Sequence, residues 1–550
     1  MNPSSTSPLS LRRRSSVLAL AALLLTPLGS LRAEPTEDRP NVIIFVADDL
    51  GWADPGFRGS GIDTPTLDSL ARDGLEFERF YTTPICSPTR AALHTGRDPM
   101  RLGVAYNTLM AWHNNGVHPD ERFMPEAFLE AGYQTAMVGK WHLGHAQQTY
   151  HPNARGYEYF YGHLHTEVGY SPPFAAQGGK DFQRDGQSIE AEGYETFTMA
   201  KEASRWIRER DTSRPFFLYV PFIAPHTPLD APEDLQAKYA DFEDDRPPAR
   251  SEFTDSSRRM SRLLLQPSAR PMYAAVVDAM DQAIGQILDA VEDEGVRENT
   301  IVLFLSDNGG AAYASGGANN APFRGGKGET FEGGIRVVAL MRWPNRIEPG
   351  TKVEDIVSVM DVFPTLAAAA GIEPGNDRKL DGRNLWSALD NGERFSRDRK
   401  LFFAAEMTVP GTLMTTTFDD EWKLVQRIVQ TQLTTEVTNH LFRIAEDPYE
   451  RNNLAARHPK LVADLSEEIV RWRAIHPIGG TPRGIAPPPG WRAPLDWASY
   501  PIPIENLRDE PAPGMAPARL RSALDWQHGE QGRIIYDCEP YAILGGGLCK

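Results

Sequence analysis

Four short apolar runs, residues 41–47, 135–138, 215–220 and 301–305, show no alternation of apolar and polar positions. A strand with one wet face alternates, so a run that does not must be covered on both faces, as central strands of a parallel sheet are. Helical patterns lie between the runs. Residues 64–73 offer Thr64 as a cap, Pro65 in the first turn and Gly74 as the stop. Residues 272–294 bring Tyr273, Val276, Val277, Met280, Ile284, Ile287, Leu288 and Val291 onto one face and end at Gly295. Strands and helices in this succession predict an α/β architecture. With 550 residues, 41% of them hydrophobic, the chain is long enough to bury a large core and to form a second domain.

Other segments read differently. Residues 229–271 are polar and rich in Pro and Arg, which predicts an exposed excursion. Near residues 395–400 the composition shifts to short strand-like pieces, 401–404, 413–418 and 422–427, and then a helical stretch, 458–472, the pattern of a small α+β domain. Prolines dominate from 478 to 517, so the tail is expected to wrap the surface in extended form. At the other end, Arg12, Arg13 and Arg14 precede an apolar run at 17–25 and small residues ending at Ala33, the order of a secretory signal peptide. That run is too short to span a bilayer. The expected division is a leader at 1–33, a catalytic α/β domain at 34–398, a small α+β domain at 399–475 and an extension at 476–550. Export to the periplasm or the medium follows, with no stable membrane insertion. A formal net charge of −17 speaks against a nucleic-acid partner, because neutralising phosphates takes a surplus of Lys and Arg. Of three cysteines, Cys538 and Cys549 lie close enough in sequence to pair in an oxidising compartment, which leaves Cys86 to be explained.

Two of the apolar runs lead into side-chain oxygens: Asp48 and Asp49 after the first, Asp307 and Asn308 after the fourth. Carboxyl ends of parallel strands are where such sheets place their sites. Three carboxylates and an amide oxygen make an all-oxygen ligand set, which suits a hard cation such as Ca²⁺ or Mg²⁺ rather than zinc. Cys86-Ser87-Pro88-Thr89-Arg90 reads as the opening of a helix that Gly96 ends, which puts Cys86 just ahead of a helix N-terminus, where backbone N–H groups favour an anion. The planar fork of Arg90 is suited to a tetrahedral anion or, equally, to bracing a carboxylate.

The segment Cys86 to Arg90, continued by Ala91-Ala92-Leu93-His94-Thr95-Gly96-Arg97, resembles the signature of the formylglycine-dependent sulfatases, and within them is similar to the arylsulfatase B (N-acetylgalactosamine 4-sulfatase) type. Gly139-Lys140-Trp141-His142, Ala224-Pro225-His226, Arg324-Gly325-Gly326-Lys327, Phe331-Glu332-Gly333-Gly334 and Asp447-Pro448-Tyr449-Glu450 extend the likeness from about residue 41 to 472. The resemblance implies an alkaline-phosphatase-like fold: a large mixed, mostly parallel sheet flanked by helices, with a smaller C-terminal α+β domain. It implies that a separate maturation enzyme oxidises Cys86 to formylglycine, whose hydrated aldehyde attacks sulfur. Serine there would leave a stable sulfate ester, whereas the second hydroxyl of the hydrate expels sulfate.

The same resemblance makes Asp48, Asp49, Asp307, Asn308 and modified Cys86 ligands of Ca²⁺, with Mg²⁺ second. Arg90 steadies the formylglycine, and Lys140 and Lys327 hold sulfate oxygens. His226 protonates the leaving group, while neutral His142 takes the proton that triggers sulfate release, so a bell-shaped pH dependence is expected. The implied substrate is a sulfated carbohydrate resembling N-acetylgalactosamine 4-sulfate. Alternatives are broad arylsulfatase activity, phosphodiester or phosphonate monoester hydrolysis on the same fold, and a non-catalytic carbohydrate-binding relative. His113, His163 and His165, beside Tyr161 and Tyr170, are read as structural.

Overall fold

The computed structural model describes residues 39–499, apart from 166–167, 172–174, 176, 245, 265, 376–377, 396–397, 407–411, 432, 478–479 and 482–486. The expected leader and the Cys538–Cys549 pair lie outside the described residues. All four apolar runs are strands, observed as Asn41–Ala47, Gln134–Lys140, Phe216–Pro221 and Thr300–Ser306. They lie in the interior of a 10-stranded sheet. Asn41–Ala47 runs parallel between Thr300–Ser306 and Phe216–Pro221, and Phe216–Pro221 is in turn parallel to Gln134–Lys140, which is parallel to Tyr159–His163. Antiparallel strands join outside this parallel centre, at Ala339–Arg342 on one side and Phe182–Arg184 on the other.

Why the first run does not alternate is visible in its packing. Val42, Ile44 and Val46 enter one core with Ala91, Ala92 and Leu93 of the Cys86–Thr95 helix. Ile43, Phe45 and Ala47 enter the opposite core with the helices Glu195–Glu209 and Arg270–Asp293. Two buried faces require apolar residues at every position.

Leu401–Ala405, Thr412–Phe418, Lys423–Gln430 and Thr435–Phe442 form a separate antiparallel sheet, against which the helix Pro459–Arg473 packs. The fourth of these strands was not expected. Its sequence, Thr-Glu-Val-Thr-Asn-His-Leu-Phe, is polar because much of it faces water, so it lacked the apolar signal the other three carried. The excursion contains the helices Glu233–Lys238 and Glu252–Leu263, which its Pro- and Arg-rich composition did not signal. Thr64 precedes its helix without capping it; its hydroxyl donates to Asp68 Oδ1 at 2.9 Å and accepts from the Gly56 N–H at 2.7 Å. In the tail, Lys180 N donates to Leu495 O and Trp497 N donates to Lys180 O, both at 2.9 Å. The Trp497 ring is buried against His165, 3.8 Å between centroids.

Candidate active site

Asp48 and Asp49 follow the Asn41–Ala47 strand, and Asp307 and Asn308 follow Thr300–Ser306, with Ala47 paired to Ser306 in register. The register therefore sets the two oxygen-bearing pairs side by side. Lys140 ends its own strand, His226 lies beyond the strand between, and Cys86 is the first residue of its helix rather than just ahead of it. All of these side chains are buried. Asp307 Oδ2 accepts from Arg90 Nε at 3.2 Å and Nη2 at 2.9 Å, while Asp307 Oδ1 accepts from Asp49 N at 3.3 Å. Asp48 Oδ2 accepts from Arg90 Nη2 at 3.1 Å and from Lys140 Nζ. Asp49 Oδ2 accepts from Lys327 Nζ at 2.7 Å and stands 3.8 Å from His226 Nε2; Asp49 Oδ1 accepts from Asn308 Nδ2 at 2.7 Å. Of the two uses open to the Arg90 fork, the structure shows the bracing of carboxylates. His142 is fixed through its main chain: its carbonyl accepts from Ser87 Oγ at 3.0 Å and its N–H donates to Leu164 O at 3.0 Å.

The donors fit a divalent cation. Ligand atoms of Asp48, Cys86 and Asp307 lie within 4.8 Å of one another, as do those of Asp48, Asp49 and His226. Asp48 Oδ1 and Asn308 Oδ1 are buried without a hydrogen-bond partner. Buried oxygens left without a donor are costly, and a hard cation is the partner that oxygen ligands of this number and charge attract.

Electrostatics separate the groups by role. Burial pushes the Asp48 carboxyl up, but Lys140, His226, Arg90 and Lys327 together outweigh it and hold the group below the usual carboxylate range. Burial and the charge of Asp48 push Asp307 up to about 7, against the pull of Arg90. Burial works against a charged Lys327, yet Asp49 more than compensates and keeps the ammonium well above its ordinary value. Burial, Lys140 and Arg90 hold His142 neutral, and neither of its ring nitrogens has a hydrogen-bond partner. Burial and Lys327 also push His226 down, while Asp49 pulls it up. The Cys86 thiol is raised to about 11, chiefly by burial. An unmodified cysteine at this position is therefore a poor nucleophile at neutral pH.

Close backbone approach holds the loops together. A Cβ on Gly309 would stand 1.9 Å from Gly333 O, and Gly309 N donates to Gly334 O at 3.0 Å. Lys327 N donates to Gly310 O at 3.1 Å, so the loops carrying Asn308 and Lys327 are hydrogen-bonded to each other. Beside Gly333 sits a buried charge cluster: Lys423 Nζ lies 2.8 Å from both Glu332 Oε1 and Glu450 Oε1, and Tyr81 OH donates to Glu332 Oε2 at 3.0 Å. Glu332 and Glu450 stand in two of the sequence blocks named above, but Lys423 was missed. It opens an otherwise half-apolar strand with no flanking motif, so only its buried location marks it. His163 and His165 are packing residues here, His163 donating through Nδ1 to His165 O at 2.9 Å and His165 lying between His145 and the edge of Trp497.

A family model described as Sulfatase matches residues 40–372, and one described as N-sulphoglucosamine sulphohydrolase, C-terminal, matches residues 327–474. Arylsulfatase J of Mus musculus is 30% identical over 492 residues, covering 80% of this chain and 78% of that protein. N-acetylgalactosamine-6-sulfatase of Homo sapiens is 35% identical over 391 residues, 66% of this chain and 68% of that one. The crystal structure of Ps i-CgsB in complex with k-i-k-neocarrahexaose superposes with a TM-score of 0.68 at 32% identity, covering 80% of this chain and 94% of that one. The phosphonate monoester hydrolase of Agrobacterium radiobacter shares the fold, with a TM-score of 0.57 at 21% identity over 80% of this chain and 96% of that one. The fold is the alkaline-phosphatase-like one, a mixed and mostly parallel sheet between helices with an antiparallel C-terminal sheet. With the family model spanning more than half of its length, the chain belongs to the sulfatase family and is a sulfuric ester hydrolase.

Proposed function

We propose that the protein removes sulfate from a sulfated carbohydrate, with residue 86 acting as nucleophile after oxidation to formylglycine and with Ca²⁺ held by Asp48, Asp49, Asp307, Asn308 and residue 86. The observation that carries the reading is Cys86 at a helix N-terminus, buried beside Asp48 and Asp307 and within reach of the charges of Lys140 and Lys327. Once oxidised by a maturation enzyme, residue 86 presents a hydrated aldehyde: one hydroxyl forms the new bond to sulfur as the alcohol leaves, and the other lets sulfate depart and restores the aldehyde. A bound divalent cation supplies Lewis acidity, lowering the pKa of that hydroxyl and offsetting charge on the sulfuryl oxygens.

The chain's own residues do the rest. Arg90 holds Asp48 and Asp307 in place through its fork. Lys140 and Lys327 supply cationic donors to the sulfate oxygens. His226 delivers a proton to the departing alkoxide; the negative charge of an incoming sulfate favours its protonated form and works with Asp49 against burial. His142, held neutral, takes the hydroxyl proton whose loss releases sulfate. We place the substrate among sulfated N-acetylgalactosamines, with the 4-sulfate of the arylsulfatase B type as the preferred ester. Relatives named for N-acetylgalactosamine 6-sulfate make the 6-ester its first competitor. Residues 1–33 are read as a leader removed on export to the periplasm or medium.

Two measurements on matured protein test this. The peptide containing residue 86 is expected to carry an aldehyde in place of the thiol by mass spectrometry. Turnover is expected on 4-sulfated N-acetylgalactosamine ahead of the 6-sulfate, and on an aryl sulfate ahead of the phosphate ester of the same phenol. An intact thiol in fully active protein overturns the nucleophile; activity on the aryl ester alone overturns the carbohydrate.

A further inference from the structure

On this acidic chain, with 74 Asp and Glu against 57 Lys and Arg, exposed arginines commonly find a carboxylate, as Arg346 finds Asp390 at 2.9 Å. A cavity of about 360 Å³ is lined instead by Arg250, Arg258 and Arg451, and none of the three forms an ion pair among the described residues. Carbonyls hold the side chains: Arg250 Nη2 donates to Pro322 O at 2.7 Å, and Arg258 donates through Nε to Ala312 O at 2.7 Å and through Nη1 to Pro247 O at 2.9 Å. Neutral acceptors fix the guanidinium planes of Arg250 and Arg258, while the carboxylates that act on them, Glu450 and Asp447 on Arg250 and Asp244 and Asp255 on Arg258, do so from beyond ion-pair distance. Burial and the like charge of Arg451 hold Arg250 below its ordinary value, and burial with Arg246 brings Arg258 down to about 10.

The lining is built into the loops of the reaction site. Arg250 adopts a left-handed backbone, φ 53°, and its carbonyl accepts from Arg324 Nε at 2.8 Å, while Gly325 N donates to Ala249 O at 2.9 Å. Asn320, also in the lining, donates through Nδ2 to Gly310 O at 2.9 Å and Gly325 O at 3.2 Å, and its Oδ1 accepts from Gly310 N at 2.9 Å. One wall of the cavity is thus the segment that continues into Lys327 on one side and is bonded to the Asp307–Gly310 turn on the other.

We propose that this cavity is a second anion subsite, taking a sulfate or carboxylate on the sugar unit next to the one that carries the scissile ester. The proposal rests on the sulfated-carbohydrate reading above and narrows it to substrates with more than one anionic group. Guanidinium groups in fixed planes match the paired oxygens of both anions, and charge-assisted hydrogen bonds are the strong ones. The cavity carries none of the groups assigned to bond cleavage, so its contribution is to affinity and substrate choice.

The test separates binding from turnover. Binding is measured by calorimetry on a Cys86→Ala chain loaded with Ca²⁺, using three probes: a disulfated disaccharide, a monosulfated disaccharide with a uronic carboxylate, and a monosulfated neutral disaccharide. Either dianionic probe is expected to bind about tenfold or more tightly than the neutral-neighbour one, and the advantage to vanish in Arg250→Gln/Arg451→Gln. The stronger of the two dianionic probes identifies the anion as sulfate or carboxylate. Arg258→Gln alone, with its thermal unfolding unchanged, is expected to lose part of the same advantage. Equal affinity for all three probes, or an advantage that survives in the folded double variant, overturns the subsite. Absence of sulfate release by the matured wild-type chain, with the binding preference intact, overturns the hydrolase reading and leaves the subsite standing.

Discussion

Asp49 and His142 both adopt left-handed backbone angles, φ 74° and 60°, although neither is glycine. Such conformations cost of order 1–3 kcal/mol each and persist where surrounding structure enforces them. Here they turn a carboxylate and an imidazole into the same buried site, and the imidazole makes no hydrogen bond of its own. His142→Ala is therefore expected to leave the thermal midpoint and the proposed residue-86 aldehyde in place while lowering kcat by roughly a hundred- to ten-thousandfold, read on an aryl sulfate. Glu195, which is not one of the proposed site residues although Lys140 acts on it, carries a pH signature of its own. Burial pushes it up to about 8, and its Oε1 stands 4.0 Å from a neutral His163 without a hydrogen bond. Its folded form keeps a proton that the unfolded chain releases above its ordinary value of 4.5, so its contribution to stability is full below that pH and lost as pH rises through about 8. Glu195→Gln is expected to raise stability at pH 8 by roughly 1–3 kcal/mol over wild type and to change little near pH 5, measured by denaturant unfolding.

At the scale of elements, register between neighbouring strands decides where the chemistry sits. Ala47 opposite Ser306 brings Asp48 and Asp307 to a shared guanidinium; a one-residue slip would turn every side chain of a strand to the other face. The strand Lys423–Gln430 of the antiparallel sheet reaches this region through Lys423, whose ammonium meets Glu332, next to the Gly333–Gly334 turn that backs Gly309. Removing one partner from a buried ionic cluster leaves the others uncompensated, at about 3–5 kcal/mol. Lys423→Met is expected to lose about that much in denaturant unfolding and to weaken sulfate turnover through the Gly309 and Lys327 loops, while Lys423→Arg keeps more of both.

For the whole molecule, the proposed cation site couples stability, though not folding itself, to metal. Asp48, Asp49 and Asp307 are buried together, but Arg90, Lys140 and Lys327 already counter their charge. The protein is therefore expected to stay folded when stripped by a chelator, with turnover abolished and the thermal midpoint lowered. Restoring Ca²⁺ at about a thousandfold its Kd should return about 4 kcal/mol of stability, whereas Zn²⁺ should not restore activity. A midpoint indifferent to chelation and to added Ca²⁺ would remove the metal from the account.

The sequence by itself determined the central sheet, because a strand buried on two faces must be apolar at every position; it nominated Asp48, Asp49, Asp307 and Asn308 by their place at strand ends, and the lysines and histidines only through the family-like blocks around them. Tertiary structure decided what local pattern does not encode. It set Arg90 on Asp48 and Asp307, gave Lys423 its partners, hid a polar edge strand and two excursion helices, and left three arginines facing one cavity. Each of these depends on residues far apart in the chain, and a guanidinium or ammonium reads alike in sequence whether it meets a carboxylate, a carbonyl or an open cavity.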